Sequence, residues 1–351
     1  MESNRTTQLR ALDGPVLITG HTGFKGTWLT RYLMQSGIEV VGYSLPSKAA
    51  DLYTRAGLEG AIDEQFSDIR SLIDLEAFVK RTKPQAIFHL AAQPLVIESY
   101  LEPLSTFETN VMGTANVLEV ARKSNSVQAV IVVTTDKVYQ NLNTGSRFKE
   151  SDPLLGTDPY SASKVGAENV AIAWQHLSTN GAKSNISIVR SGNVIGGGDL
   201  SDNRLLADVV RSHISGGKLQ IRNPKSTRPW QHVLDPLNGY VMAMEKALQT
   251  SQGQTFNFGP SEAALAVSEV IKEVQKIWED VDIELVEPEE NAYESKLLDL
   301  DSDRARIALS WFPKYSQREA ISETLAWWDE VLVEKRNALD AVDSHIRKFF
   351  S

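Results

Sequence analysis

Within Asp158-Pro159-Tyr160-Ser161-Ala162-Ser163-Lys164 a phenol and an ammonium stand four residues apart in a helix-forming context. On a helix, that spacing puts both groups on one face. A tyrosine titrates near pH 10 and is a poor base at neutrality, but a fixed cation beside it, and a second on an oxidised nicotinamide, favour the phenolate. Such a phenolate takes the proton from a hydroxyl while hydride leaves the same carbon. Taken alone, the pattern more often marks an exposed helix that happens to carry both residues, so the elements around it decide.

The most strand-like run, Ala129-Val130-Ile131-Val132-Val133-Thr134, leads directly into Thr135-Asp136-Lys137-Val138-Tyr139. Ligands of open α/β sheets bind beyond the carboxyl ends of the strands, which places these polar residues where chemistry happens. A solvent-facing turn would also use Asp and Lys; the order of strand, polar triplet and Tyr160/Lys164 helix favours catalysis.

Near the N-terminus the short apolar strand Val16-Leu17-Ile18-Thr19 meets Gly20-His21-Thr22-Gly23-Phe24-Lys25-Gly26, and an amphipathic helix follows. Glycines permit the tight turn and the close approach of a pyrophosphate, and the helix N-terminus offers unpaired N–H groups and a positive dipole end. Strand, loop and helix in that order are the context the motif requires. Gly20, Thr22, Gly23, Phe24, Lys25 and Gly26 are therefore the expected dinucleotide contacts. The next strand, Glu39 to Ser44, ends without the acid that often holds the adenosine ribose. Ser44 can accept a ribose hydroxyl and Lys48 can meet a 2′-phosphate, which leaves both NAD and NADP open.

Phe66-Ser67-Asp68-Ile69-Arg70 brings Asp68 and Ile69 toward the adenine, although Asp68 fits equally as the N-cap of a helix from Leu72. A fourth strand, Ala86 to Ala92, ends in Leu90, Ala91 and Ala92, small enough at the end to admit a flat cofactor, before Gln93-Pro94 breaks it. Pro103 to Lys123 has helical apolar spacing around a polar Asn110, best read as bonded to a neighbouring helix or the sheet. A sixth strand covers Ile186 to Arg190. The repeated units predict a Rossmann-type, doubly wound parallel sheet with a smaller, interleaved C-terminal substrate lobe. Residues 1–190 form the expected dinucleotide-binding domain, with 228–255 returning to it, and 191–351 are mainly the substrate lobe. From about Val267 the chain becomes helical and acidic, and the aromatics around Trp327-Trp328 are expected in the core.

Of the 351 residues 42% are hydrophobic and 23% charged, enough for a large core. The chain has no cysteine, and its six histidines show no metal-ligand spacing, so no metal is expected. A net charge of −9 argues against nucleic acid as a partner. No apolar run suits a signal peptide or a membrane span, which predicts a cytoplasmic protein.

With Gly192-Asn193-Val194-Ile195-Gly196-Gly197-Gly198-Asp199 and Thr227-Arg228-Pro229-Trp230-Gln231-His232-Val233 added to the glycine loop and Thr135-Asp136-Lys137, the sequence resembles extended short-chain dehydrogenases/reductases, specifically the CDP-glucose 4,6-dehydratases. The likeness spans Val16 to about Trp311. It implies a nucleotide-sugar substrate bound by Gln93, Asn193, Arg204, Arg228 and His232, with guanidinium groups suited to pyrophosphate oxygens. It implies Thr135, Asp136, Lys137, Tyr160 and Lys164 as catalytic residues. Tyr160 would deprotonate the 4-hydroxyl as NAD takes hydride from C4, Lys164 would lower the phenol pKa, and Asp136 and Lys137 would remove water across C5 and C6 before hydride returns to C6. A homodimer through the helices beginning near Pro103 and Asp158 is implied as well.

Two demands follow. Lys137 acts as a base only when neutral and Asp136 as an acid only when protonated. Consecutive strand residues point to opposite faces, so the backbone must leave strand geometry at or just before Asp136 for both to reach one sugar. Leu155 stands where this branch would carry a second glycine, which bears on sugar specificity. An epimerase would need Tyr160, Lys164 and NAD but no eliminating pair. A cofactor-binding protein without chemistry would have little need of Thr135, Tyr160 and Lys164 together.

Overall fold

The structure is a computed structural model that describes residues 6–179, 184–221, 223–250, 252–279, 281–286 and 298–351. Residues 1–5 and part of the acidic stretch read from the sequence, 287–297, lie outside the described residues.

In chain order the principal elements begin with β1 (Val16–Thr19), α1 (Phe24–Gln35), β2 (Val40–Ser44), β3 (Asp63–Phe66), α2 (Leu72–Thr82) and β4 (Ala86–His89). Next is α3, which runs through Pro103–Phe107, a π-helical turn at Glu108–Met112 and Gly113–Lys123. Then come β5 (Ala129–Val133), α4 (Pro159–Thr179), β6 (Asn185–Ser191), α5 (Leu205–Ser215), α6 (Leu234–Gln249) and β7 (Thr255–Phe258). The longest helices after β7 are α7 (Val267–Ile277), α8 (Gln317–Leu332) and α9 (Ala338–Phe350).

The seven-stranded sheet has the order β7-β6-β5-β4-β1-β2-β3, and every pairing is parallel. Strands buried on both faces are largely apolar, as Val16–Ile18 and Ala129–Val133 are. Alternation sorts their side chains: Leu17 joins a layer with Leu75, Phe78, Val117, Leu118 and Ala171 of α2, α3 and α4. Val16 and Ile18 join the opposite layer, with Trp28 and Leu29 of α1, Leu237 and Val241 of α6, and Trp327 and Trp328 of α8. The tryptophans are core, as expected. This is the doubly wound Rossmann-type sheet that the repeating pattern predicts.

Tethers between distant parts of the chain hold the frame. Glu245 of α6 accepts from the N–H groups of Gln8 and Leu9 at 2.8 and 2.9 Å. Asp343 of α9 takes two bonds from Arg31 of α1, at 2.9 and 2.7 Å, and Phe350 stacks on Tyr32. Beyond β6, Val194–Ile195 pairs with Gln231–His232, and Thr227–Arg228 pairs with Leu265–Ala266.

Candidate active site

The carboxyl ends of β1, β4, β5 and β6 carry the site. At the end of β1, Gly20 has φ of 75°, and a Cβ there would come within 2.7 Å of the Ala91 nitrogen; a Cβ on Gly26 would lie 2.1 Å from the Gly20 oxygen. The loop is thus pressed between the β4 exit and the start of α1, and only glycine allows it. Leu90, Ala91 and Ala92 follow β4 half-buried, with Ala91 N donating to Thr19 Oγ1 at 3.3 Å. Thr22 Oγ1 lies 2.7 Å from Ser44 Oγ, joining the loop to the end of β2. Glycine contacts and the free N–H groups opening α1 suit a pyrophosphate. Among the described residues no cluster of His, Asp and Glu suits a metal ion.

Asp68 is not the N-cap of α2: Ser71 is, accepting from Asp74 N. Asp68 instead receives Arg70, through its backbone N–H at 2.9 Å and its guanidinium at 2.7 Å, and that pairing holds its carboxyl below the usual range. Ile69 is buried, with its Cγ2 in the gap left by Gly113.

β5 ends at Val133, Thr135 is extended, and Asp136–Val138 form a 3-10 turn. The backbone leaves strand geometry where alternation demands it, and Asp136 and Lys137 are brought within 3.9 Å of each other. Asp136 is buried. Its Oδ1 accepts from Thr135 Oγ1 at 3.0 Å, and its Oδ2 has no protein hydrogen-bond partner. Lys137 is 30% exposed. A Cβ on Gly192 would lie 2.9 Å from Asp136 Oδ2 and 2.5 Å from Pro229, so the glycine clears room for the carboxylate.

On α4, Tyr160 and Lys164 face this turn. The Thr135 hydroxyl hydrogen-bonds the Tyr160 phenol. Burial pushes that phenol up to about 12, while the Thr135 bond and the Arg204 charge pull it down. Lys164 Nζ reaches Val133 O at 3.5 Å, and burial lowers its ammonium to about 8 against the Glu168 carboxylate, which raises it. Asn110, in the π-helical turn, accepts from Gln93 N at 2.8 Å and donates to Ser163 Oγ of α4 at 2.8 Å, bonding to neighbours as its sequence context suggested.

Arg204 pairs with Asp199 at 2.8 Å, and its charge is felt by both Tyr160 and Lys25. Half-buried Asn193 has an unpartnered Oδ1. Buried Arg228 precedes the Pro229 that packs on Gly192. Two residues assigned to the substrate have close neighbours within the protein. Gln93 spends its amide at home: Oε1 accepts from Leu95 N, and Nε2 donates to Leu95 O and Thr106 Oγ1. His232 is buried between Trp28 and Tyr315, close enough to His345 and Lys348 of α9 to feel their charge, and burial lowers its imidazole to about 3. Its Nε2 has no protein hydrogen-bond partner.

Sequence reasoning missed the direction of Lys25. Its side chain turns inward to donate to Ser191 Oγ at 3.0 Å and Tyr240 OH at 3.3 Å, and burial, with Arg204 and Lys164 nearby, lowers its ammonium to about 7. Glu168 was also missed, although it continues the four-residue spacing of Tyr160 and Lys164. Leu155 is 49% exposed, its N–H donating to Val138 O at 2.9 Å, and the adjoining Gly156 abuts the start of α4.

A parallel Rossmann-type sheet with a Tyr-x-x-x-Lys helix against its β5 exit defines an extended short-chain dehydrogenase/reductase. The profile of the GDP-mannose 4,6-dehydratase family matches residues 17–324, and the chain belongs to that family. It is 37% identical to the CDP-glucose 4,6-dehydratase of Salmonella typhimurium over 350 residues, 95% of this chain and 97% of that one. It is 24% identical to the UDP-glucose 4-epimerase of Lactobacillus helveticus, over 89% of this chain and 96% of that one. The dTDP-glucose 4,6-dehydratase of Bacillus anthracis, solved with NAD, superposes with a TM-score of 0.78 at 23% identity, covering 91% of this chain and 98% of that one.

Proposed function

We propose that the protein is an NAD-dependent 4,6-dehydratase that converts CDP-glucose to CDP-4-keto-6-deoxyglucose. The observation that carries this reading is the Asp136 carboxylate, buried with Oδ2 free of protein partners, 3.9 Å from Lys137 and joined through Thr135 to Tyr160. An epimerase needs the phenol but has no use for a second acid/base pair.

Gly20, Thr22, Gly23, Phe24, Lys25 and Gly26 would hold the pyrophosphate side of the cofactor, Ser44, Asp68 and Ile69 the adenosine, and Leu90, Ala91, Ala92, Tyr160 and Lys164 the nicotinamide side. NAD, when bound, accepts hydride from C4 and returns it to C6. NAD rather than its 2′-phosphate is supported by the NAD held in the Bacillus anthracis relative.

Tyr160, as phenolate, takes the 4-hydroxyl proton, with Thr135 fixing the phenol. The C4 carbonyl then acidifies C5–H. Neutral Lys137 takes the C5 proton while protonated Asp136 gives its proton to the 6-hydroxyl, which leaves as water, and their closeness lets the proton pass back between them afterwards. Arg204, Arg228 and Asn193 are the residues to bind the nucleotide diphosphate. Cytidine and glucose rest on the Salmonella relative.

The same reading assigns 1–190 with 228–255 to the cofactor and 191–351 to the substrate, and makes the protein a homodimer. Leu101, Leu104, Phe107 and Met112, around the start of α3, and Ile172 of α4 are exposed apolar residues on the helices that would pair. Among the described residues no helix is long and apolar enough to cross a membrane. A cytoplasmic enzyme fits a nucleotide-activated substrate. Incubation with a panel of nucleotide-activated hexoses, read by mass, tests the proposal: CDP-glucose should lose one water, whereas an isobaric product would mean epimerisation.

A further inference from the structure

Beneath the two catalytic halves lies a charge pair that the proposed chemistry does not touch. Glu168 sits one helical turn beyond Lys164 on α4 and is fully buried; Arg190 of β6 is 3% exposed. Glu168 Oε1 accepts from Arg190 Nε at 2.8 Å, and Oε2 accepts from Arg190 Nη2. What distinguishes the pair is its remaining partners. Thr134, the last residue before the Thr135-Asp136-Lys137 triplet, donates to Glu168 Oε1 at 2.6 Å. Tyr139, the first residue after the 3-10 turn, accepts from Arg190 Nη1 at 2.7 Å and lies with its ring 4.8 Å from the guanidinium carbon.

Both ends of one turn thus hang on one ion pair. Thr134 N also donates to Val189 O of β6 at 2.9 Å, and Leu155 N to Val138 O and Gln140 N to Pro153 O tie the exit of the turn to the loop that follows it, but none of these bonds reaches α4. Tyr139 also donates to Asn257 Oδ1 of β7 at 2.7 Å. A buried ion pair is a poor source of stability, because desolvating two charges offsets most of their attraction, and its best-attested use is to fix one arrangement over others. Here the arrangement fixed is the offset between the turn and the Tyr160-Lys164 face of α4.

We infer that the buried Glu168–Arg190 pair is a positioning device: through Thr134 and Tyr139 it sets Asp136 and Lys137 against the redox face of α4, so that elimination is aligned with the sugar that Tyr160 has oxidised. The inference rests on the dehydratase reading for its consequence in catalysis, though not for the tether itself. Glu168 also keeps the Lys164 ammonium nearer its ordinary range, so the pair acts on both halves of the site.

Thr134→Val removes the tether to Glu168, and Tyr139→Phe removes the bonds to Arg190 and Asn257; each keeps the shape of the side chain. In the protein alone, amide exchange across residues 136–139 should quicken about tenfold in either variant, while that of the α4 core stays as it was. With CDP-glucose and NAD, loss of water should slow by about ten- to a hundredfold, since sub-ångström misplacement of catalytic groups carries penalties of that order, while hydride removal from C4 changes less than about threefold. Reduced cofactor should therefore accumulate. Exchange unchanged in both variants, or a partition between the two steps that stays as in the unaltered protein, overturns the inference. Should the unaltered protein leave CDP-glucose intact, the functional reading falls, and amide exchange alone still decides the tether.

Discussion

The redox half of the site stands on a regular helix, and the eliminating half stands on a turn. Along α4, Tyr160, Lys164 and Glu168 recur every four residues, so the helix alone gives them a common face. Asp136 and Lys137 are adjacent in sequence, and no regular element points two neighbours at one target. Their convergence depends on β5 stopping at Val133, on the 3-10 turn, and on side chains from α4, β6 and β7 that hold it. Geometry that is local on the helix is tertiary on the turn, so substitutions near the two should fail differently.

The largest expected effect is at Tyr160. Tyr160→Phe should abolish both reduction of the cofactor and loss of water, by ~10³-fold or more, because removing a positioned general base at the first step stops all that follow. Lys137→Ala should instead leave hydride removal intact and hold the enzyme with reduced cofactor, as read by nicotinamide absorbance; equal loss of both steps would erase the proposed division of labour. Next in size is Gly192→Ala. Its methyl would meet Asp136 Oδ2 at 2.9 Å and Pro229 at 2.5 Å, and should slow elimination by about 10–100-fold with C4 oxidation nearly unchanged, in single-turnover measurements.

The smallest effect on catalysis is expected at Asp235, behind both halves at the start of α6. Burial pushes its carboxyl up to about 7, against the N–H groups of Lys314 and Tyr315 that pull it down. Because the folded value lies above the unfolded one, the stability it contributes is full below pH ~4 and is lost as pH rises through ~7. Asp235→Asn should flatten that loss, recovering on the order of 1–3 kcal/mol at pH ~8 in urea unfolding, with the partition between oxidation and elimination untouched.

Much of the frame was legible because its signals are local. The glycine loop after Val16–Thr19, the apolar strands and the α4 spacing are all short-range patterns, and so was the need for a break before Asp136. Side-chain direction was not legible. Lys25 belongs to the loop by sequence, yet its ammonium turns inward to Ser191 and Tyr240, residues far along the chain. Gln93 and His232 carry polar groups in suggestive motifs, but one is spent on Leu95 and Thr106 and the other is enclosed by Trp28 and Tyr315. For Asp68, the cap role passes to Ser71 because the helix starts at Leu72, three residues later than that role requires. For Lys25 and His232 a tertiary neighbour outweighs the local pattern, and for Gln93 and Asp68 a competing local bond does.

The tie between Gln8 and Glu245 spans 237 positions, and the sheet is completed only when Thr255–Phe258 lies down beside β6. Contacts of such span are slow to close. On a ribosome, the first six strands would emerge well before the strand that covers their open edge, leaving β6 exposed to pairing with other chains during that interval. Low temperature and slow synthesis should therefore favour recovery of folded protein, and the yield of a chain ending before Phe258 should collapse into aggregate.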